Sequence, residues 1–392
     1  MLEGLLLGML FYLLALFIGI WCYRLYSPLY QKTLIVILIC WVGHYIGTFV
    51  YSLMLTDSLV QFFPNATPRF NGFNTSFVFN IVWYVRKFFT GDSYIGTVYF
   101  FSAFAFLGSI LWYLLYIQLA QRLNISNQKY TFPALVLMCW PSYLFFTAGI
   151  GKDSLCFFLI PLILLSLNQV LYQKEKSAMM VINLVFSILF LTLIRPYLLM
   201  IFVGAYFLST FKGITKLSGF RVILILCSLP VLYFVAHWVG TAQGGMTSIE
   251  IADIAARATR QQGLLNVGTT FPMLSTNPII VVLLLPYSFT MNLTMPLFVF
   301  AHNLTGLFAS FENAVLVYLL YTFWKDRKIF KILKNKIEPV KLCFSFFIVG
   351  MAFLGLINTN LGLAARQKSM YVPAFLVVAM LVWLYKKQMK RR

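Results

Sequence analysis

Three short polar breaks in an otherwise apolar chain each carry a cation. Gly151-Lys152-Asp153 and Arg195-Pro196 each lie between long apolar runs, and Arg366 and Lys368 lie in the stretch from Asn358 to Pro373. Guanidinium groups grip phosphate through paired hydrogen bonds, and an ammonium acts as a point charge. Cations held in such breaks therefore suit a phosphate or pyrophosphate ligand. Gly149 and Gly151 would let backbone approach that ligand. A helix opening at Asp153-Ser154 would add unpaired N–H groups, an anion site in itself. At the second break Pro196 opens the next helix and leaves Arg195 at the junction. The competing role for such bases is to reach lipid headgroups or to pair with Asp57, Asp92, Asp153, Glu250 and Asp253.

The chain has only 10 acids, so each one counts. Asp57 closes the second apolar run and is a candidate base or hydroxyl ligand, or else a solvated loop acid. Glu250 and Asp253 share a loop with Arg257 and Arg260. Asp253 and Arg257 stand four apart on a helix expected over 248–262, which would explain them as a local pair. Glu312, beside Asn313, sits inside an apolar run, where an acid is functional or structurally paired. His44, His237 and His302 share no motif and read as hydrogen-bonded residues of apolar segments. No cluster of His, Cys and acids suggests a bound metal, and nothing calls for another cofactor. The 6 cysteines fall in apolar runs without ligand spacing and read as thiols without disulfides. Gly151-Lys152 is not a nucleotide loop. Phe146 stands at the position of the loop's first glycine, and Asp153 replaces its Ser or Thr.

The elements that must position these residues are membrane spans. Hydrophobic residues make up 61% of the 392 and charged residues 10%, with a mean hydropathy of +0.86. About a quarter of a soluble protein's residues are charged. This chain is therefore expected to be an all-α, polytopic membrane protein of one domain, 1–392, with about eleven spans. They lie near 4–22, 33–55, 96–120, 131–149, 154–172, 178–195, 196–211, 222–240, 298–323, 342–360 and 370–385. A shorter apolar piece near 278–290 reads as re-entrant. The first span follows Met1-Leu2-Glu3 with no basic leader or cleavage site, so a retained helix is expected. No internal repeat is visible.

Net charge is +20. Cytoplasmic loops and anionic headgroups account for most of it, so no nucleic-acid partner is implied. The basic clusters near 24–32, 122–129, 174–176, 212–221, 325–341 and 386–392 all fall on one side of an eleven-span chain. The positive-inside rule then puts the N-terminus outside and the C-terminus in the cytoplasm. Arg69, Arg86, Lys87, Lys152, Arg195, Arg257, Arg260, Arg366 and Lys368 are left on the outer side. Long outer loops are expected at about 56–95 and 241–277, with an amphipathic helix from Phe79 to Phe89 in the outer headgroup plane. A basic cytoplasmic loop is expected at about 324–341.

The order of these features resembles a known family. An Asp opens the first outer loop (Asp57). Pro141-Ser142 leads into Gly151-Lys152-Asp153, and Ile194-Arg195-Pro196-Tyr197 follows. Then come Glu312-Asn313 and a last turn from Asn360 to Lys368 that contains Arg366. The layout is similar to the Wzy-type polymerases of bacterial surface-polysaccharide clusters, which make O-antigen, exopolysaccharide or capsule. Arg257 and Gly268 also fit the Arg-x10-Gly spacing of that family's outer loops.

The resemblance implies an enzyme on the outer face of the inner membrane. It would move a growing glycan from undecaprenyl pyrophosphate to the sugar of another lipid-linked repeat unit, without metal or nucleotide sugar. A chain-length regulator and a flippase are the implied partners. On that basis Lys152, Arg195 and Arg366 are expected to hold the pyrophosphate, with Arg257 and Arg260 assisting. Asp57 is the first candidate for activating the acceptor and Glu250 the second. Two other functions fit the layout: a GT-C-like glycosyltransferase using a lipid-phosphate sugar, and a flippase or exporter of lipid-linked glycan. The flippase would call for internal repeats.

Overall fold

The computed structural model describes residues 2–26, 31–54, 58–69, 72–125, 131–173, 178–210, 285–296, 298, 304–357 and 361–390. These residues are mostly helical, with no strand among them. Among the described residues six helices are long and apolar enough to cross a membrane: Leu2–Leu25, Gln31–Ser52, Tyr94–Arg122, Lys152–Leu171, Gly306–Lys325 and Val372–Met389. They point to a membrane protein. The helices Ala178–Ile194 and Pro196–Thr210 are apolar but shorter. The span expected at 222–240 and most of the piece at 278–290 lie outside the described residues.

The described residues form two compact units. The first runs from Met1 to Arg195 and takes in Leu376–Arg392; the second runs from Pro196 to Phe375.

In the first unit, α1 (Leu2–Tyr26) and α7 (Lys152–Leu167) pack against α4 (Tyr94–Arg122). Helix α2 (Gln31–Ser52) packs on α4, α5 (Thr131–Met138) and α6 (Pro141–Phe146), and α8 (Ala178–Ile194) packs on α7 and α3 (Thr75–Val85). Helix α4 is apolar all round and is the central element, with Trp112, Tyr113 and Tyr116 fully buried. Glycines set its close approaches. A Cβ on Gly108 would lie 2.7 Å from the Phe157 carbonyl oxygen of α7, and one on Gly8 would lie 2.6 Å from the Tyr99 ring. Small residues at such crossings let helices come close enough for dispersion to hold them in lipid. Buried hydroxyls add specificity. Tyr12 shares hydrogen bonds with Thr48 (2.9 Å) and Ser102 (2.5 Å), tying α1, α2 and α4 together, and His44 meets Ser109 at 3.1 Å.

The segment 131–149, expected as one span, is two short helices. Trp140 is extended between them (φ −65°, ψ 126°), and Pro141 starts α6. The proline ring disfavours helical geometry in the residue before it, and Pro is suited to a helix start. The amphipathic stretch at 79–89 also differs from expectation. Helix α3 ends at Val85, and a π-helical turn spans Arg86–Thr90. Phe88 and Phe89 are exposed there, and the Lys87 ammonium sits 4.8 Å above the Trp83 ring.

The second unit contains α9 (Pro196–Thr210), α10 (Leu285–Thr294), α11 (Leu304–Lys325), α12 (Arg327–Lys336), α13 (Glu338–Ile357) and α14 (Leu361–Lys368), with the first turn of α15 (Val372–Met389). Aromatic rings fill its core. Phe202 stacks on Phe346 at 4.4 Å, and Phe347 stacks on Phe375 at 4.9 Å. The ten described residues of α10 rise about 15 Å. A cis Met295–Pro296 peptide follows it.

Candidate functional site

The cationic break at Gly151-Lys152-Asp153 is built from the ends of three helices in the first unit. Helix α7 opens at Lys152, with Asp153 in its first turn. The loop before it is fixed by local contacts. Ser58 donates to the Ile150 carbonyl at 3.0 Å and meets the Tyr51 hydroxyl at 3.2 Å. The Tyr51 ring lies over Gly149, where a Cβ would come within 2.4 Å of it. The glycine thus makes room for Tyr51, where the sequence suggested close approach of a ligand.

Arg195 follows the last residue of α8, and its N–H donates to the Leu191 carbonyl at 2.7 Å. Its side chain reaches Asp153 and forms a buried ion pair. Exposure is only 6% for Arg195 and 2% for Asp153. Both helix dipoles favour this pairing: the carboxylate lies at the N-terminus of α7 and the guanidinium at the C-terminus of α8. Arg195 of the second break is therefore matched by the Asp153 carboxylate of the first, and the pair carries no net charge.

Lys152 is half-buried, and its ammonium donates to the side-chain oxygen of Asn74. Asn74 stands just before α3 with a left-handed backbone (φ 65°), and its N–H donates to the Leu193 carbonyl at 2.8 Å. It thereby joins the starts of α3 and α7 to the end of α8. Sequence reasoning missed Asn74 as a site residue. Its one signal was an Asn ahead of a helix, a cap type. Here no side-chain cap bond forms, and the amide oxygen faces Lys152.

A second polar cluster lies in the second unit. Lys368 ends α14 with 6% exposure. Its ammonium donates to the Asn313 side-chain oxygen at 2.6 Å and to the Met295 carbonyl at 3.3 Å. The Asn313 amide donates in turn to the Thr294 carbonyl at 3.3 Å and the Pro296 carbonyl at 3.2 Å. Asn313 thus clamps the turn after α10 while orienting Lys368. Burial pushes the Lys368 ammonium down to about 7, partly offset by the Glu312 carboxylate. Arg366 sits half-buried on the same short helix.

The pH dependence has a definite sign. An unfolded lysine titrates near ~10.4, so between about 7 and that value the unfolded chain holds a proton that folded Lys368 does not. Stability from this group therefore rises with pH across that window and is flat below it, with a slope of at most about 1.4 kcal/mol per pH unit. Thermal unfolding in detergent from pH 6.5 to 9.5 should show wild type gaining on Lys368→Met as pH rises. Parallel curves would place the lysine in a wetter setting than this one.

Of the residues singled out by sequence, Lys152, Asp153 and Arg195 come together in one unit, and Lys368 and Asn313 in the other, with Glu312 acting on Lys368. Asp57, Glu250, Asp253, Arg257 and Arg260 lie outside the described residues. Arg86 pairs with Asp92 and stacks over Phe63, a local role. Among the described residues no group of three or more His, Cys, Asp or Glu is arranged to hold a metal ion. No family model, curated protein or solved structure matches the chain.

Proposed function

We propose that this protein polymerises lipid-linked glycan on the outer face of the bacterial inner membrane. It would transfer a growing oligosaccharide from undecaprenyl pyrophosphate to a sugar hydroxyl of a second lipid-linked unit. The observation that carries this reading is Lys152 at the opening of α7, beside Asn74 and next to the buried Asp153–Arg195 pair. A helix N-terminus with an adjacent ammonium favours an anion. The leaving pyrophosphate gains charge as its bond to the sugar breaks, and preorganised positive groups stabilise that charge most effectively. In this scheme Lys152 contacts the pyrophosphate. Arg195 holds Asp153 and through it fixes the start of α7.

The reading includes about eleven crossings, with the N-terminus outside and the C-terminus in the cytoplasm. Asp57, with Glu250 as second choice, would take the acceptor proton. Apolar helix faces would accommodate the polyprenyl chains. Purified protein supplied with an undecaprenyl-pyrophosphate-linked repeat unit alone should produce a ladder of oligomers. Absence of any product from the native unit would sink the proposal.

A further inference from the structure

The stretch expected as a basic cytoplasmic loop is a folded helix, α12, held between α11 and α13. Ile329, Phe330 and Leu333 fall on one side at helical spacing, and Arg327, Lys328, Lys331 and Lys334 on the other. The apolar side is already covered within the unit. Phe330 packs against Phe323 at 4.9 Å and Phe344 at 4.8 Å, and Leu333 is fully buried. The opposite side stays open, with Arg327, Lys328 and Lys331 exposed. No acid lies within α12; Asp326 precedes it and Glu338 follows.

A second observation fixes the depth of this face. Exposed side chains along α11 run Phe308, Phe311, Val315, Tyr318, Tyr321 and Trp324 toward Lys325. The stripe changes from purely apolar groups to Tyr and Trp as it nears α12. Tyr and Trp concentrate at headgroup level, where one end of the ring system is dry and the other wet. The Arg327 guanidinium lies 5.2 Å from the Trp324 ring. The basic face therefore begins where the aromatic stripe marks the bilayer's edge.

We propose that the open face of α12 is a binding surface for anionic phospholipid headgroups. The cations supply the charge complement, and Tyr321 and Trp324 place them at headgroup depth. A soluble acidic partner would match the charges but leave the neighbouring exposed aromatic stripe unexplained. This inference rests on the membrane character of the chain and is independent of its glycan chemistry.

The test uses full-length protein reconstituted in phosphatidylcholine bilayers with spin-labelled phosphatidylglycerol or phosphatidylcholine. Wild type should prefer the anionic lipid by roughly fivefold or more, since one cation near such a surface is worth about that factor. The preference should shrink in high salt. It should fall toward equality in the Arg327→Gln, Lys328→Gln, Lys331→Gln, Lys334→Gln variant. Equal association in wild type, or a preference the variant retains, would overturn the proposal. So would displacement of the anionic lipid by millimolar glycerol phosphate, or tight binding of polyglutamate without lipid preference. If the fourfold variant does not fold, the exposed single change Lys331→Gln should lower the preference several-fold. An unchanged preference there also overturns it.

Discussion

Replacing Asp153 by Leu while Arg195 remains should destabilise the protein by about 3–5 kcal/mol. The loss follows from what is left behind. Arg195 is 6% exposed and would keep its charge after losing the Asp153 carboxylate it pairs with. It would also face the positive end of α7, which begins one residue before Asp153. Removing both charges is a different perturbation, because the desolvation cost of the guanidinium disappears with its partner's. Asp153→Leu combined with Arg195→Met should therefore recover most of the lost stability, as buried pairs replaced by apolar groups of similar size often do. Thermal unfolding in detergent, with size-exclusion profiles to verify folding, reads both variants against wild type. A single variant that melts with wild type would mean that the pair is solvated and does not hold α7 to α8.

That ion pair also marks where the sequence stops being legible. The long helices were readable because each is a continuous apolar run, and lipid demands little more of a span than length and hydropathy. The same uniformity hid the break at Trp140-Pro141. Hydropathy does not register a proline effect on the preceding residue, and 131–149 is apolar from end to end apart from a few small polar groups. The cationic breaks were visible as charges, but charge does not name its partner. Asp153 neighbours Lys152 in sequence yet pairs with Arg195, which is 42 residues away. Asn74 is 78 residues from Lys152, and Asn313 is 55 from Lys368. Nothing local encodes either contact. In the basic stretch the density of lysine masked the helical spacing of Ile329, Phe330 and Leu333, which was there to be read.

Lys152→Ala should lower the rate of oligomer formation from lipid-pyrophosphate-linked units by more than tenfold, and by as much as ~10³-fold if the lysine contacts the leaving group directly. Its effect on stability should be smaller than that of Asp153→Leu. Lys152 is half-buried and donates to the neutral side chain of Asn74; hydrogen bonds of this kind contribute about 1.5–3 kcal/mol at most. The two effects therefore separate, which is not true of Asp153 or Arg195. Lys152→Arg should restore part of the rate, because it keeps the charge while changing the donor geometry. Asn74→Ala should fall between wild type and Lys152→Ala, since it removes one partner of the ammonium while keeping the charge. The informative quantity is the rate at saturating donor. Charge developing on the pyrophosphate is stabilised in the transition state more than in the bound substrate, so the loss should appear in kcat more than in KM. Full activity of folded Lys152→Ala would remove the pyrophosphate contact from this break, leaving Lys152 as a tether between α7 and α3.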